Sequence, residues 1–203
     1  MTRPTWPRLA LAAAAGYALG MVPSADLAAR WATGGDVDLR QTGSGNPGGV
    51  NARAVLGSRW GYGVMAADIA KAALACRMGG RLAGDTGQHL AGTGAVVGHC
   101  YPAVRGFDGG KGVGCSVGQC LATFPAYFPL DVGVAGLVAA GPFRRRAFAA
   151  TATASATWVA ASVVWWKRGL PNGWGPRPSA ALPLAAAVSS AVILSRFARE
   201  ERR

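Results

Sequence analysis

Acidic residues are scarce in this chain. Nine Asp and Glu stand against 21 Lys and Arg, a formal net charge of +12 over 203 residues. Charge of either sign is sparse, at 15% of residues, while 51% are apolar. A soluble nucleic-acid binder would carry such a positive excess along a polar face. Here the basic residues fall between apolar runs, which argues against a nucleic-acid partner and for Lys and Arg lying near lipid headgroups. Histidine is confined to His89 and His99. The four cysteines, Cys76, Cys100, Cys115 and Cys120, form no C-x-x-C pair, so zinc-site and thioredoxin-type motifs are missing. They read as small apolar residues within or beside helices, and no metal site is expected. There is no repeat and no biased segment beyond a richness in alanine, and the length suits one domain, residues 1–203.

What is abundant is apolar sequence, with seven Trp of the kind that populates membrane interfaces. Arg3 and Arg8 before Leu9–Leu19 could mimic a secretion signal, but no small-x-small site follows, so Leu9–Val22 is read as a first span. Ala25–Arg53 is polar. Ala54–Cys76 is helical in character and carries Asp68 and Lys71 three apart, on one face. Such in-membrane charges face a bundle interior or an aqueous pocket, and this pair is expected to brace a polar site. Arg77–His89 reads as a polar turn region, and Leu90–Tyr101 as a short stretch of small residues suited to close helix packing. Pro125 and Pro129 interrupt Val113–Ala140 and predict two half-length helices there. Arg144, Arg145 and Arg146 precede a span over Ala147–Trp166; Ser179–Phe197 is the last span. The expected fold is all-α: a polytopic integral membrane bundle of about five to seven transmembrane or half-membrane helices.

Two polar islands interrupt the apolar pattern: Gly43-Ser44-Gly45-Asn46-Pro47-Gly48-Gly49-Val50-Asn51, and Gly98-His99-Cys100-Tyr101-Pro102 running into Gly106-Phe107-Asp108-Gly109-Gly110-Lys111-Gly112-Val113. Their glycines leave backbone N–H groups unobstructed, the ingredients of an anion-binding nest. A helix beginning at Val113 would add its positive end beside Lys111, a combination suited to a phosphate monoester. Nucleotide binding is rejected: counting back from Gly110-Lys111 puts Arg105 where a P-loop needs its first glycine, and Gly112 stands where Ser or Thr must follow. His99 is a candidate base by its ordinary titration range. If Val113–Ala140 crosses twice, both islands, the triple arginine and the C-terminal tail share the side richest in Lys and Arg, which the positive-inside rule assigns to the cytoplasm.

On these residues the chain resembles the acyl-phosphate-dependent glycerol-3-phosphate acyltransferases of bacteria. That family shows G-S-I-P, then G-S-G-N-x-G-A-T-N-x-x-R, a membrane D-x-x-K-G, G-H-x-F-P, and G-F-K-G-G-K-G-V. The counterparts here are Gly20–Pro23, Gly43–Asn51, Asp68–Lys71, Gly98–Pro102 and Gly106–Val113, in the same order, over roughly residues 15–120. The resemblance implies a multi-pass enzyme of the bacterial inner membrane, its glycine-rich loops facing the cytoplasm. It would transfer a fatty acyl group from acyl phosphate to sn-glycerol 3-phosphate, giving lysophosphatidic acid for phospholipid synthesis, with no metal or nucleotide cofactor. It assigns Ser44, His99 and Lys111 to catalysis and Gly43, Gly45, Asn46, Asn51, Arg53, Gly109, Gly110 and Gly112 to phosphate and substrate binding, with Asp68 and Lys71 in support. Three departures stand out. Arg53 sits one place before the family arginine, which falls on Ala54. Asp108 replaces a lysine. The tail motif R-H-x-x-N is absent, Arg196-Phe197 offering Phe for His. The missing tail motif and Ala54 leave open a phosphate-binding regulatory homologue without turnover, and the in-membrane charges leave open a transporter of phosphorylated metabolites.

Overall fold

The computed structural model describes residues 5–142 and 146–200. Arg144, Arg145 and the last three residues, which include two of the tail arginines, lie outside the described residues. Every regular element among the described residues is helical: α1 (Trp6–Gly20), α2 (Ser24–Thr33), α3 (Gly49–Leu56), α4 (Ser58–Cys100), a 3₁₀ turn (Ala103–Arg105), α5 (Val113–Thr123), α6 (Phe128–Ala140), α7 (Arg146–Arg168) and α8 (Ala181–Glu200). Among the described residues, three stretches are long and apolar enough to cross a membrane: Trp6–Thr33, Ala147–Arg168 and Ala181–Arg199. Large apolar side chains such as Leu137 and Leu184 point outward, as a lipid-facing exterior requires.

α4 corrects the expected polar turn over Arg77–His89. Those residues are helical, and the chain reverses at Ala83 (φ −145°, ψ 29°) and Gly84 (φ 61°, ψ −157°) alone. Gly84 supplies the left-handed backbone that the reversal needs. Two antiparallel arms result, and they touch through small residues: Gly79 lies against Gly87 and Cys76 against Gly92. The segment Ala25–Arg53 likewise holds more order than its polarity suggested, since α2 and the start of α3 fall inside it.

α1 packs along the second arm of α4. Gly16 and Gly20 on one side, Gly94 and Gly98 on the other, bring the two backbones together so closely that any Cβ would run into a facing carbonyl or backbone atom. In lipid the helices gain little from hydrophobic burial, so this backbone contact is what van der Waals packing and small residues provide. Tyr17 fastens the exit of α4, donating from its hydroxyl to Tyr101 O (2.8 Å) and accepting from Ala103 N (3.0 Å). α5 lies on the first arm, Gly118 against Ile69. The two prolines separate α5 from α6 as expected, Pro129 falling in the first turn of α6 where its missing N–H costs nothing. α6 buries no residue of its own. It leans on α7, which packs on α8; Trp158 of α7 and Leu182 and Ala186 of α8 cluster with Phe124 and Tyr127 from the α5–α6 connection.

Candidate functional site

The first island is a loop wrapped around one side chain. Asn51, buried in the first turn of α3, donates from Nδ2 to Leu39 O (2.9 Å) and Thr42 O (3.0 Å), and its Oδ1 accepts from Ser44 N (2.8 Å). Gly43 and Gly45 have positive φ (62° and 71°). A side chain at Gly43 would meet the Asn51 amide, so glycine there allows the loop to close. Ser44, Asn46 and the start of α3 are thereby presented on one side.

The second island folds back on the end of α4. Gly109 N donates to Cys100 O (3.2 Å) and Gly110 N to His99 O (3.1 Å). The His99 ring occupies the space that a Gly110 side chain would need. α5 begins at Val113 behind Gly112, as expected, so its N-terminal N–H groups open beside Lys111. Lys111 Nζ sits 4.7 Å over the Phe197 ring.

Behind the islands lies a buried charged cluster. Asp68 and Lys71 form the expected ion pair at 2.8 Å. Ser24 Oγ donates to Asp68 (2.9 Å), and Lys71 Nζ also donates to Val22 O (2.8 Å). Lys71 Nζ faces His99 Nδ1 at 3.0 Å. The same Nδ1 lies 3.5 Å from Asp68 Oδ1, so the ring is set between the ammonium and the carboxylate. Donor atoms of Asp68, His99 and Cys115 lie within 4.8 Å of one another, a spacing that a metal could use. The Lys71 ammonium already fills the cationic position among two of them.

Both islands line one cavity of about 730 Å³. One end is polar, lined by Ser44, Asn46, Asn51, Asp68, His99, Lys111 and Gly112. The remainder runs between α5, α6, α7 and α8 over mostly apolar side chains. On the far side of His99 a smaller pocket of about 30 Å³ is lined by Lys71, Gly109, Gly110, Arg40 and Arg105. Asp26 ties those two arginines together, at 2.5 Å from Arg40 and 3.0 Å from Arg105.

Of the residues named from the sequence, Ser44, Asn46, Asn51, Asp68, His99, Lys111 and Gly112 line the large cavity, Lys71, Gly109 and Gly110 line the smaller pocket with His99, and Arg53 lines neither. That side chain is exposed and outside the cavity, its NH1 3.4 Å from Tyr62 OH and its guanidinium 6.0 Å from the Tyr62 ring. A shift of one residue turns a helical side chain by about 100°, which is why the displaced arginine misses the cavity. Gly43 and Gly45 shape the first loop without lining the cavity. Asn51 is spent on the loop backbone, so its geometry is that of a scaffold.

Sequence reasoning missed Arg196. From α8 it donates to Gly110 O (3.3 Å), Gly109 O (2.5 Å) and Asp108 Oδ1 (3.0 Å), and it stacks on the Tyr101 ring at 5.3 Å. The signal was available: an acid standing where the related pattern has lysine calls for a cation, and Arg196 was the matching first residue of the tail motif. The reversed charge at Asp108 is thus balanced within the fold.

The family profile described as glycerol-3-phosphate acyltransferase matches residues 10–203. A glycerol-3-phosphate acyltransferase of Exiguobacterium sibiricum is 43% identical over 113 residues, 56% of this chain and 54% of that relative. Another, from a Thermoanaerobacter species, is 32% identical over 158 residues and 77% of each chain. The crystal structure of PlsY (YgiH), an integral membrane glycerol 3-phosphate acyltransferase, in its glycerol 3-phosphate form is similar with a TM-score of 0.76 at 26% identity, over 96% of this chain and 90% of that one. Its lysophosphatidic acid form gives 0.75 at 25%.

Proposed function

The chain belongs to the glycerol-3-phosphate acyltransferase family, and from that premise we propose that it moves a fatty acyl group from acyl phosphate to sn-glycerol 3-phosphate. The observation that carries this reading is one cavity whose polar end is lined by both islands and whose remainder is mostly apolar. A water-soluble phosphate and a lipid chain can meet there.

The reaction forms one ester C–O bond between a glycerol hydroxyl and the acyl carbon. It breaks the C–O bond to phosphate, which departs with the electron pair, and the hydroxyl proton ends on the released phosphate. The leaving group is good, so positioning and charge stabilisation supply most of the rate. Lys111, Ser44, Asn46 and the N–H groups at the start of α5 hold phosphate oxygens. The His99 ring lies between the islands, its Nδ1 set against Lys71 and Asp68. The Asp68–Lys71 pair braces that histidine, and Asn51, Gly109 and Gly110 shape the loops. We assign both loops to the cytoplasmic face of the bacterial inner membrane, where the basic residues concentrate and where the phosphorylated acceptor is found.

The test supplies acyl phosphate and glycerol 3-phosphate to the full chain in detergent. Phosphate release matched by lysophosphatidic acid is expected. Neither product, beside an active relative, would overturn the reading, and binding of glycerol 3-phosphate without turnover would assign the chain to the non-catalytic class. Lys111→Ala is expected to raise KM for glycerol 3-phosphate by about 10- to 100-fold, the loss of a charge-assisted contact. An unchanged KM removes Lys111 from the phosphate site.

A further inference from the structure

α5 carries an amide in the middle of an otherwise apolar and small-residue sequence, Gln119. Such a group is costly in an apolar interior unless both of its ends are hydrogen-bonded. Gln119 is fully buried, and both ends are taken. Nε2 donates to Thr93 Oγ1 on the second arm of α4 (3.3 Å), and Oε1 accepts from Ser189 Oγ on α8 (2.7 Å). The stem of the side chain lies in the space that a side chain at Gly92 would need. One residue therefore joins three helices.

Those three helices hold the second island. His99 follows Thr93 on α4, Arg196 and Phe197 follow Ser189 on α8, and Lys111 stands at the entry to α5. Each lies six to eight residues from the amide or its partner, about 9–12 Å by helical rise. An apolar seam joins the same helices: Cys115 of α5 packs with Ala95, Val96 and Cys100 of α4 and with Ile193 and Phe197 of α8. Most of those side chains are small, and a slide along the seam trades one apolar contact for another. In lipid no hydrophobic gain opposes such a slide. Hydrogen bonds do oppose it, because they fail over short distances and poor angles.

The C-terminal end of α5 is pinned as well. Leu121 O, Ala122 O and Thr123 O accept from Trp174 Nε1 (3.2 Å), Gln88 Nε2 (3.0 Å) and Asn172 Nδ2 (3.0 Å). These are carbonyls that a helix leaves open in its last turn. The helix is thus tied by polar contacts from its middle to its end, and its other end opens beside Lys111.

We propose that Gln119 is a positioning residue: it fixes the register of α5 against α4 and α8 and so aims Lys111 at the phosphate of glycerol 3-phosphate. It has no part in bond making. The inference rests on the reading that Lys111 holds that phosphate.

The test is Gln119→Met in the full chain in detergent, which keeps the side-chain length and removes both hydrogen bonds. KM for glycerol 3-phosphate is expected to rise roughly fivefold, with kcat changed less than about twofold. In a Lys111→Ala background the same substitution is expected to raise KM less than about twofold, since the group it aims is gone. An unchanged KM with a lowered thermal midpoint makes the amide a stability device only and overturns the proposal. So does a fivefold rise in both backgrounds. Where turnover is absent, calorimetric binding of glycerol 3-phosphate reads the same ratios and keeps this proposal apart from the acyltransferase reading. The register is also read without substrate, by nitroxide labels on Val113→Cys of α5 and Ala191→Cys of α8, two exposed positions in a chain whose four native cysteines are buried. Gln119→Met is expected to shift or broaden the dipolar coupling of the pair, and an identical spectrum overturns the proposal whatever the chain catalyses.

Discussion

The first island is held from within, the second from outside. In the first, Asn51 lies eight positions or fewer from Ser44 and Gly43, and its three hydrogen bonds all end on the backbone of the loop it closes or the segment just before it. In the second, the glycine loop lies against the end of α4, and its other face is gripped by Arg196, 86 to 88 residues further along the chain. A local closure forms with its own loop. A distant one forms only when α8 has docked. The geometry of the second island therefore depends on the whole bundle, and that of the first does not.

The largest effect that separates the two is expected from Asn51→Ala. It removes two donors and an acceptor at a buried position and leaves Leu39 O, Thr42 O and Ser44 N to find other partners. The loss is about 2–3 kcal/mol, which lowers the thermal midpoint in detergent by roughly 5–10 °C. Turnover falls by at least about 100-fold, because Ser44 and Asn46 lose their placement together. Turnover lost with an unchanged midpoint would mean that Asn51 contacts substrate, and the contrast between the islands would fail.

A smaller effect is expected at the external clamp. Arg196→Ala leaves the loop attached to α4 through Gly109 N and Gly110 N, and removes the guanidinium opposite Asp108. KM for glycerol 3-phosphate is expected to rise about tenfold, with kcat less affected, since Lys111 is displaced from its place over Phe197. Asp108 is partly exposed, at 32% for its side chain, which weakens the pair relative to a fully buried one. A cycle of Asp108→Ala, Arg196→Ala and the double variant is expected to give a coupling of about 1 kcal/mol. Strict additivity would show that the pair does not act as a unit and that Arg196 works through the two glycine carbonyls alone.

The same division explains what could be read from the chain. The islands, the Asp68–Lys71 pair and the break between α5 and α6 are short-range patterns, and each rests on residues within a few positions of one another. The hairpin in α4 was hidden because Arg77, Arg81, Asp85 and Gln88 make its tip look like a polar loop, while a single left-handed residue, Gly84, performs the reversal. Arg196 was hidden by distance, and its match to the related tail pattern was obscured by Phe197 standing where histidine was expected. That same Phe197 proves to be the ring under Lys111. Short-range chemistry was legible, and long-range closure was not, because nothing in a local window records which distant helix will supply a counter-charge.

The smallest effect is expected at Arg53, and it tests whether island chemistry can be transferred by motif alone. The related pattern places an arginine one residue later, at Ala54, and reading the shift as harmless would put Arg53 on the phosphate. In the structure the side chain lies outward on Tyr62, and it is the Arg53 backbone and Cβ that pack on Gly61. Arg53→Ala keeps that backbone and Cβ contact. It removes one exposed cation–π contact, worth about 0.5–1 kcal/mol at such a site. KM for glycerol 3-phosphate is therefore expected to change less than about twofold, against the far larger rise at Lys111. A tenfold rise on Arg53→Ala would require the guanidinium to reach the polar end of the cavity during turnover, with α3 rotated by about the 100° that separates neighbouring helical positions. The first island would then be the mobile one, and the contrast between a self-closed loop and a clamped loop would be inverted.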